Sequence, residues 1–200
     1  MIVEVEAKLR LSNPQALRDK LAELDAVHDR DVVETNTYFD RPDGGLKSSD
    51  QGLRVRVEVN QATGKVDTVV THKGPRAHGK LKSRSETEVG VNNARSAGQM
   101  LTALGYVPVL TFEKLRTRYL LDGCRVEIDT LPYLGTFVEI EGNTDDDVLA
   151  VQAKLGLGEL PMIRASYIAM LMTYLRENDL APTIVKLADD TREAEPVAQP

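Results

Sequence analysis

Glu4, Glu6 and Lys8 stand two residues apart, interleaved with Val3, Val5, Ala7 and Leu9. In an extended strand, residues two apart share a face. Such a strand sets two carboxylates and an ammonium on one side and an apolar row on the other. One half-exposed strand alternates this way by default. Here the pattern recurs, and the sign of the charge changes from segment to segment. Arg54 and Arg56 alternate with Leu53, Val55 and Val57. Glu86 and Glu88 follow Arg84, and Lys114, Arg116 and Arg118 share one parity. Glu127 and Asp129 alternate with Val126 and Ile128, and Glu139 and Glu141 with Val138 and Ile140.

Like charges side by side on a strand repel, so a purely solvated face more often mixes signs. Carboxylates hold hard cations such as Mg²⁺ through oxygen. Guanidinium forks and ammonium groups hold phosphate oxygens. Acidic and basic strands in one chain therefore suit a site for metal ions together with a polyanion. For both sets to meet one ligand, the polar faces must converge. A closed antiparallel sheet does this, and a barrel of about eight strands can enclose one small ligand. Its apolar faces then look outward and need a jacket of helices.

The chain supplies those elements. Period-2 segments predict strands over 2–11, 32–40, 53–59, 65–72, 85–91, 110–121, 125–130 and 136–141. Ser12-Asn13-Pro14 starts a helix with Leu17, Leu21 and Leu24 on one face. Further helices are expected over 94–104, closed by Gly105, and over 145–155 and 164–176. Residues 73–83 read as a mobile loop rich in Lys, Arg and Gly. The α+β domain is expected over 1–180, with a disordered, apolar-poor tail over 181–200.

At 200 residues one domain is expected. A net charge of −6 argues against a general nucleic-acid binder. No apolar run reaches the roughly 18 residues of a membrane helix. The charged N-terminal strand argues against a signal peptide. Cys124, the single cysteine, leaves no internal disulfide and suits a reducing compartment. These features predict a cytoplasmic protein. His28, His72 and His78 stand singly, without zinc-ligand spacing. No complete Gly-x-x-x-x-Gly-Lys-Ser/Thr phosphate loop is present, since Leu81 follows Gly79-Lys80, and no Gly-x-Gly-x-x-Gly turn occurs.

The chain resembles the CYTH-domain proteins, also called triphosphate tunnel metalloenzymes. The resemblance rests on Glu4-x-Glu6-x-Lys8, Tyr38-Phe39-Asp40, Leu53-Arg54-Val55-Arg56 and Thr71-His72-Lys73-Gly74-Pro75. It continues through Arg84-Ser85-Glu86-Thr87-Glu88, Lys114-Leu115-Arg116, Tyr119 and Glu127-Ile128-Asp129. Gly135 to Glu141 and Ser166-Tyr167 complete it, over roughly residues 2–176. It looks closest to the class IV adenylyl cyclase-like branch. It implies an eight-stranded antiparallel tunnel with a charged lumen and surrounding helices. It implies Mg²⁺ or Mn²⁺ on Glu4, Glu6, Asp129, Glu139 and Glu141. It implies triphosphate binding by Lys8, Arg54, Arg56, Lys73, Lys114, Arg116 and Arg118. Glu4, Glu6, Lys8 and Glu139 are the implied catalytic set; Glu86 and Glu88 lie where the family places a functional acid, Glu127 joins by alternation, and Tyr38 packs against a base or fills the barrel wall.

The expected ligand is a small-molecule triphosphate: ATP, tripolyphosphate or thiamine triphosphate. In a cyclase the ribose 3′-hydroxyl attacks the α-phosphorus and pyrophosphate leaves. In a triphosphatase water attacks the terminal phosphorus. The resemblance favours the cyclase, although no base or ribose pocket is legible in the sequence. A non-catalytic polyphosphate- or nucleotide-binding module is the alternative of another class. Nucleic acid and membrane are not expected partners. The family resemblance leaves a homodimer open, without an interface signature in the sequence.

Overall fold

The computed structural model describes residues 2–77 and 81–189, with backbone alone for residues 2–4, 82 and 189. The strands are β1 (Ile2–Leu11), β2 (Val27–Asp40), β3 (Gly52–Asn60), β4 (Val66–Arg76), β5 (Lys82–Gly90), β6 (Val107–Leu121), β7 (Cys124–Leu131), β8 (Gly135–Gly142) and the two-residue β9 (Ile184–Val185). The helices are α1 (Pro14–Glu23), α2 (Gly45–Ser48), α3 (Ala94–Ala103), α4 (Asp145–Lys154) and α5 (Tyr167–Glu177).

The strands pair in the order β2-β3-β4-β5-β1-β8-β7-β6, and β6 pairs back with β2. All eight pairings are antiparallel. The sheet is thus a closed eight-stranded barrel, which leaves none of these strands with an unpaired edge. Alternation turns the apolar rows outward. Val5, Ala7, Leu9, Ile128, Val138 and Ile140 pack against Leu17 and Leu21 of α1 and Val148 and Val151 of α4. Leu53 and Val55 pack against Ala97 and Leu101 of α3. Each such buried Val, Leu or Ile side chain contributes about 1.5–3 kcal/mol relative to exposure. The helices start where sequence chemistry dictates: Asn13, Asn93, Thr144 and Ser166 each cap a helix by accepting a backbone N–H bond.

α5 departs from the expected jacket. Tyr167, Leu171 and Leu175 pack on Leu110, Phe112 and Phe137. Phe112 precedes Lys114 by two residues and Phe137 precedes Glu139 by two, so both aromatics share the faces of those charges. The polar faces become apolar at this end of the barrel, and α5 closes over it.

The expected 73–83 loop is shorter than the sequence suggested. β4 runs on to Arg76 and β5 begins at Lys82, with a register shift between Lys73 and Arg76. Pro75 has no N–H for the ladder, and a side chain at Gly74 would run into Ser85. Arg76 anchors the hairpin to Asp50 at 2.8 Å. The ordered chain also extends past 181. Ile184–Val185 pairs with Thr111 and Phe112, and Val185 is fully buried against the α5 core. The expected tail over 190–200 lies outside the described residues. No helix among the described residues is long and apolar enough to cross a membrane.

Candidate active site

Strand register explains how so many charges coexist inside one barrel. Glu139 of β8 stands opposite Lys8 of β1. Asp129 and Glu127 of β7 stand opposite Arg116 and Arg118 of β6, and Glu34 of β2 stands opposite Lys114. At these positions acid meets base across neighbouring strands, the favourable arrangement, whereas Glu127 stands opposite Glu139 and Glu6 opposite Glu141, acid against acid. The faces enclose a cavity of about 920 Å³.

Arg116 is the centre of the network. It donates two hydrogen bonds of 2.6 Å to Asp129 and one of 2.7 Å to Glu139, and it contacts Glu127. Lys114 reaches Asp129 at 3.0 Å and Glu34 at 3.3 Å. Lys8 lies 3.2 Å from Glu139, donates to the Ala165 carbonyl at 3.0 Å, and sits 3.8 Å above the Tyr167 ring. Arg118 bonds Glu127 at 2.8 Å.

Glu127, Glu139 and Glu141 bring one carboxylate oxygen each within 4.8 Å of one another. Hard oxygen donors at this spacing fit a divalent cation such as Mg²⁺ or Mn²⁺. The crowding shows in the chemistry of Glu127. Burial, aided by Glu141 and Asp129 and opposed by Arg116 and Arg118, pushes its carboxyl up to about 7.

At the α5 end the lining is basic and aromatic. Arg54 is buried, donates to Thr71 at 3.2 Å and lies 3.8 Å from Glu88. Lys73 pairs with Glu86. Burial and the adjacent Arg54 lower the Lys73 ammonium below its usual range, against the pull of Glu86. The Nε groups of Arg54 and Arg84 are buried with no hydrogen-bond partner among the described residues. Both residues line the cavity and offer donors to an anion. Tyr38 stacks on Phe112 at 5.9 Å. Burial alone would raise its hydroxyl, but Arg54, Lys73, Arg56 and Lys114 bring it below the usual value.

Of the expected residues whose side chains are described, all but one line the cavity. Glu6, Lys8, Tyr38, Arg54, Arg56, Lys73, Glu86, Glu88, Lys114, Arg116, Arg118, Glu127, Glu139 and Glu141 all line the cavity. The side chain of Glu4 lies outside the described residues. Asp129, expected as a metal ligand, is fully buried and absent from the cavity wall. Arg116 and Lys114 bond its two oxygens. His72 turns away from the lumen and bonds Gln51 at 3.0 Å.

Sequence reasoning missed Glu34, Glu58, Arg84 and Tyr167. The signal for Glu34 was present: Glu34, Asn36 and Tyr38 alternate in one strand. Mixed chemistry hid it, because no like-charge pair marks that face. Tyr167 closes the family pattern in the sequence without a role attached, since helical spacing makes it look like core.

The closed barrel and inward charges define a charged-lumen tunnel protein. The chain belongs to the CYTH domain family, whose pattern it matches over residues 3–167. It is 35% identical over 158 residues to the adenylate cyclase CyaB of Aeromonas hydrophila, covering 78% of each chain. Among solved structures, the PH1819 protein of Pyrococcus horikoshii superposes with a TM-score of 0.74 at 26% identity, covering 86% of this chain and 99% of that one. HpAC1 of Hippeastrum, a candidate adenylyl cyclase described as having a dominant triphosphatase activity, superposes at 0.63 with 21% identity, covering 92% of this chain and 99% of that one. That last likeness speaks to the fold.

Proposed function

We propose that this chain is a metal-dependent enzyme that turns ATP into cyclic AMP and pyrophosphate inside the barrel. The observation that carries the reading is the meeting, in one cavity, of the Glu127–Glu139–Glu141 cluster with the bases of β1, β3, β4 and β6. A triphosphate brings several negative charges that must be neutralised and aligned for in-line transfer. A bound Mg²⁺ or Mn²⁺ would draw off phosphate charge and lower the pKa of the attacking oxygen.

The chain's own groups do the rest. Arg54, Arg56, Lys73, Lys114, Arg116 and Arg118 bind phosphate oxygens. Lys8 is braced by Glu139 and Tyr167 and points at the same volume. Glu127, Glu139 and Glu141 hold the cation, with Glu6 of β1 alongside on the cavity wall; the family resemblance adds Glu4. The nucleoside needs an apolar berth, which the sequence did not reveal. Tyr38, Val109, Ile168 and Met172 supply one on the cavity wall. That wall and the 35% identity to an adenylate cyclase support the cyclase over other triphosphate chemistry. Hydrolysis of tripolyphosphate or thiamine triphosphate is the second reading, because the bases address the phosphates alone.

The test compares wild type with Glu139→Gln on ATP, with and without EDTA. Turnover that needs the metal and is lost in a folded Glu139→Gln protein is expected. Wild-type turnover in the variant would sink the assignment.

A further inference from the structure

Glu34 lies at the middle of β2 and is fully buried. Its side chain does not line the cavity. Its partners do. Arg56 Nε is 3.3 Å from Glu34 Oε2 and Lys114 Nζ is 3.3 Å from the same oxygen. Arg116 Nε is 3.6 Å from Oε1, and Asn36 donates to Oε2 at 3.3 Å. One carboxylate behind the wall thus serves three cations from two strands, all three facing the cavity.

We propose that Glu34 is a positioning residue: it is the shared internal counter-ion that keeps Arg56, Lys114 and Arg116 aimed into one phosphate-binding volume. The inference rests on the reading that the cavity takes a triphosphate. Three observations carry it. First, the cations crowd one another: Arg116 opposes the charge on Arg56. Without an anion behind them they would splay apart. Second, Asp129 holds only Lys114 and Arg116, and Glu58 reaches Arg56 and Arg118 from another side. Glu34 ties the β3 arginine to Lys114 and Arg116 of β6, as Glu58 ties it to Arg118. Third, stability does not explain it. Buried ion clusters are often matched or bettered by apolar residues of similar size. Val32, two residues earlier on the same strand, is buried and apolar. The site accepts the desolvation of a carboxylate there for the sake of the bases.

A residue that touches phosphate and one that holds its bases behave differently when lost. Removing a phosphate-binding base weakens binding. Neutralising Glu34 leaves the bases with less counter-charge, so polyanion binding tightens, while their aim, and with it turnover, is lost.

The test uses wild type and Glu34→Gln with tripolyphosphate and Mg²⁺, reading thermal shift and calorimetric affinity, and turnover of the preferred triphosphate. In Glu34→Gln the melting temperature without ligand falls. The tripolyphosphate-induced shift exceeds that of wild type, and turnover drops by about tenfold or more. Equal shift and equal turnover in the two proteins would overturn the role of Glu34. So would a larger shift with turnover kept at the wild-type level, which would leave Glu34 a bulk counter-charge without a positioning role. If Glu34→Gln does not fold alone, refolding it with tripolyphosphate should restore the barrel by circular dichroism; failure to do so also counts against the proposal. A wild type that shows no tripolyphosphate shift would instead bring down the triphosphate reading itself.

Discussion

Arg116 holds Asp129 through two hydrogen bonds of 2.6 Å while the same guanidinium reaches Glu139 at 2.7 Å. One arginine therefore links an acid behind the cavity wall to an acid on it. Asp129 fixes where Arg116 sits, and Glu139 is the partner that a cation would share.

Asp129→Asn should accordingly act on the fold first. Removing one charge from a buried pair typically costs about 3–5 kcal/mol, because the remaining charge is left uncompensated. Urea unfolding should show a loss of this order, well above that of Glu141→Gln. Glu141 pairs with the half-exposed Arg125, where a surface-type ion pair contributes little. Equal losses in the two variants would contradict the division of roles between them.

Glu139→Gln and Glu141→Gln should weaken divalent cation binding about tenfold or more in protein that still folds, with Glu139→Gln the less stable because Lys8 loses its buried partner. Mn²⁺ titration followed by electron paramagnetic resonance reads this directly, without any substrate. Unchanged Mn²⁺ affinity in both would move the cation site elsewhere.

The Glu127 carboxyl, at about 7, lies above the ordinary glutamate range near 4.5. A raised acid binds its proton more tightly in the folded state, so its contribution to stability is complete below about 4.5. It is lost as pH rises through about 7. Glu34 runs the other way. Burial would raise it, but Arg56, Lys114, Arg116 and Arg54 hold it well below the usual value. Its contribution is present above about 4.5 and lost on acidification. Carbon-13 NMR of labelled glutamate in metal-free protein should show one carboxyl titrating near neutrality and absent in Glu127→Gln. A spectrum with every carboxyl titrating below 5 would contradict this.

Met172 and Ile168 of α5 stand on the apolar part of the cavity wall. Met172→Glu should lower kcat/KM for ATP by about tenfold or more, since an unpaired carboxylate there meets an apolar group. Tripolyphosphate binding, which needs only the bases, should change far less. Equal loss for both ligands would remove the nucleoside from this wall.

The barrel was legible because its lumen is written in pairs of like charges at period 2, as in Arg54 with Arg56 or Glu139 with Glu141. Strand order was not legible: β1 lies between β5 and β8, and nothing local in residues 2–11 encodes those partners. Asp129 and Glu127 share one face by parity, yet only register and depth separate the buried holder from the wall acid. α5 was readable as an amphipathic helix and unreadable as a cap. Its apolar stripe meets Phe112 and Phe137, and strand alternation cannot say at which residue a lumen stops being polar.

The central claim is metal-dependent chemistry on a triphosphate in this lumen. The most direct measurement is phosphorus NMR with chromatography of products from ATP, tripolyphosphate and thiamine triphosphate, each with Mg²⁺ or Mn²⁺. Cyclic AMP with pyrophosphate, formed from ATP only when the metal is present, is the predicted result. Orthophosphate with a diphosphate product would replace the cyclase by a triphosphatase acting at the same site. No metal-dependent product from any of the three would contradict the account.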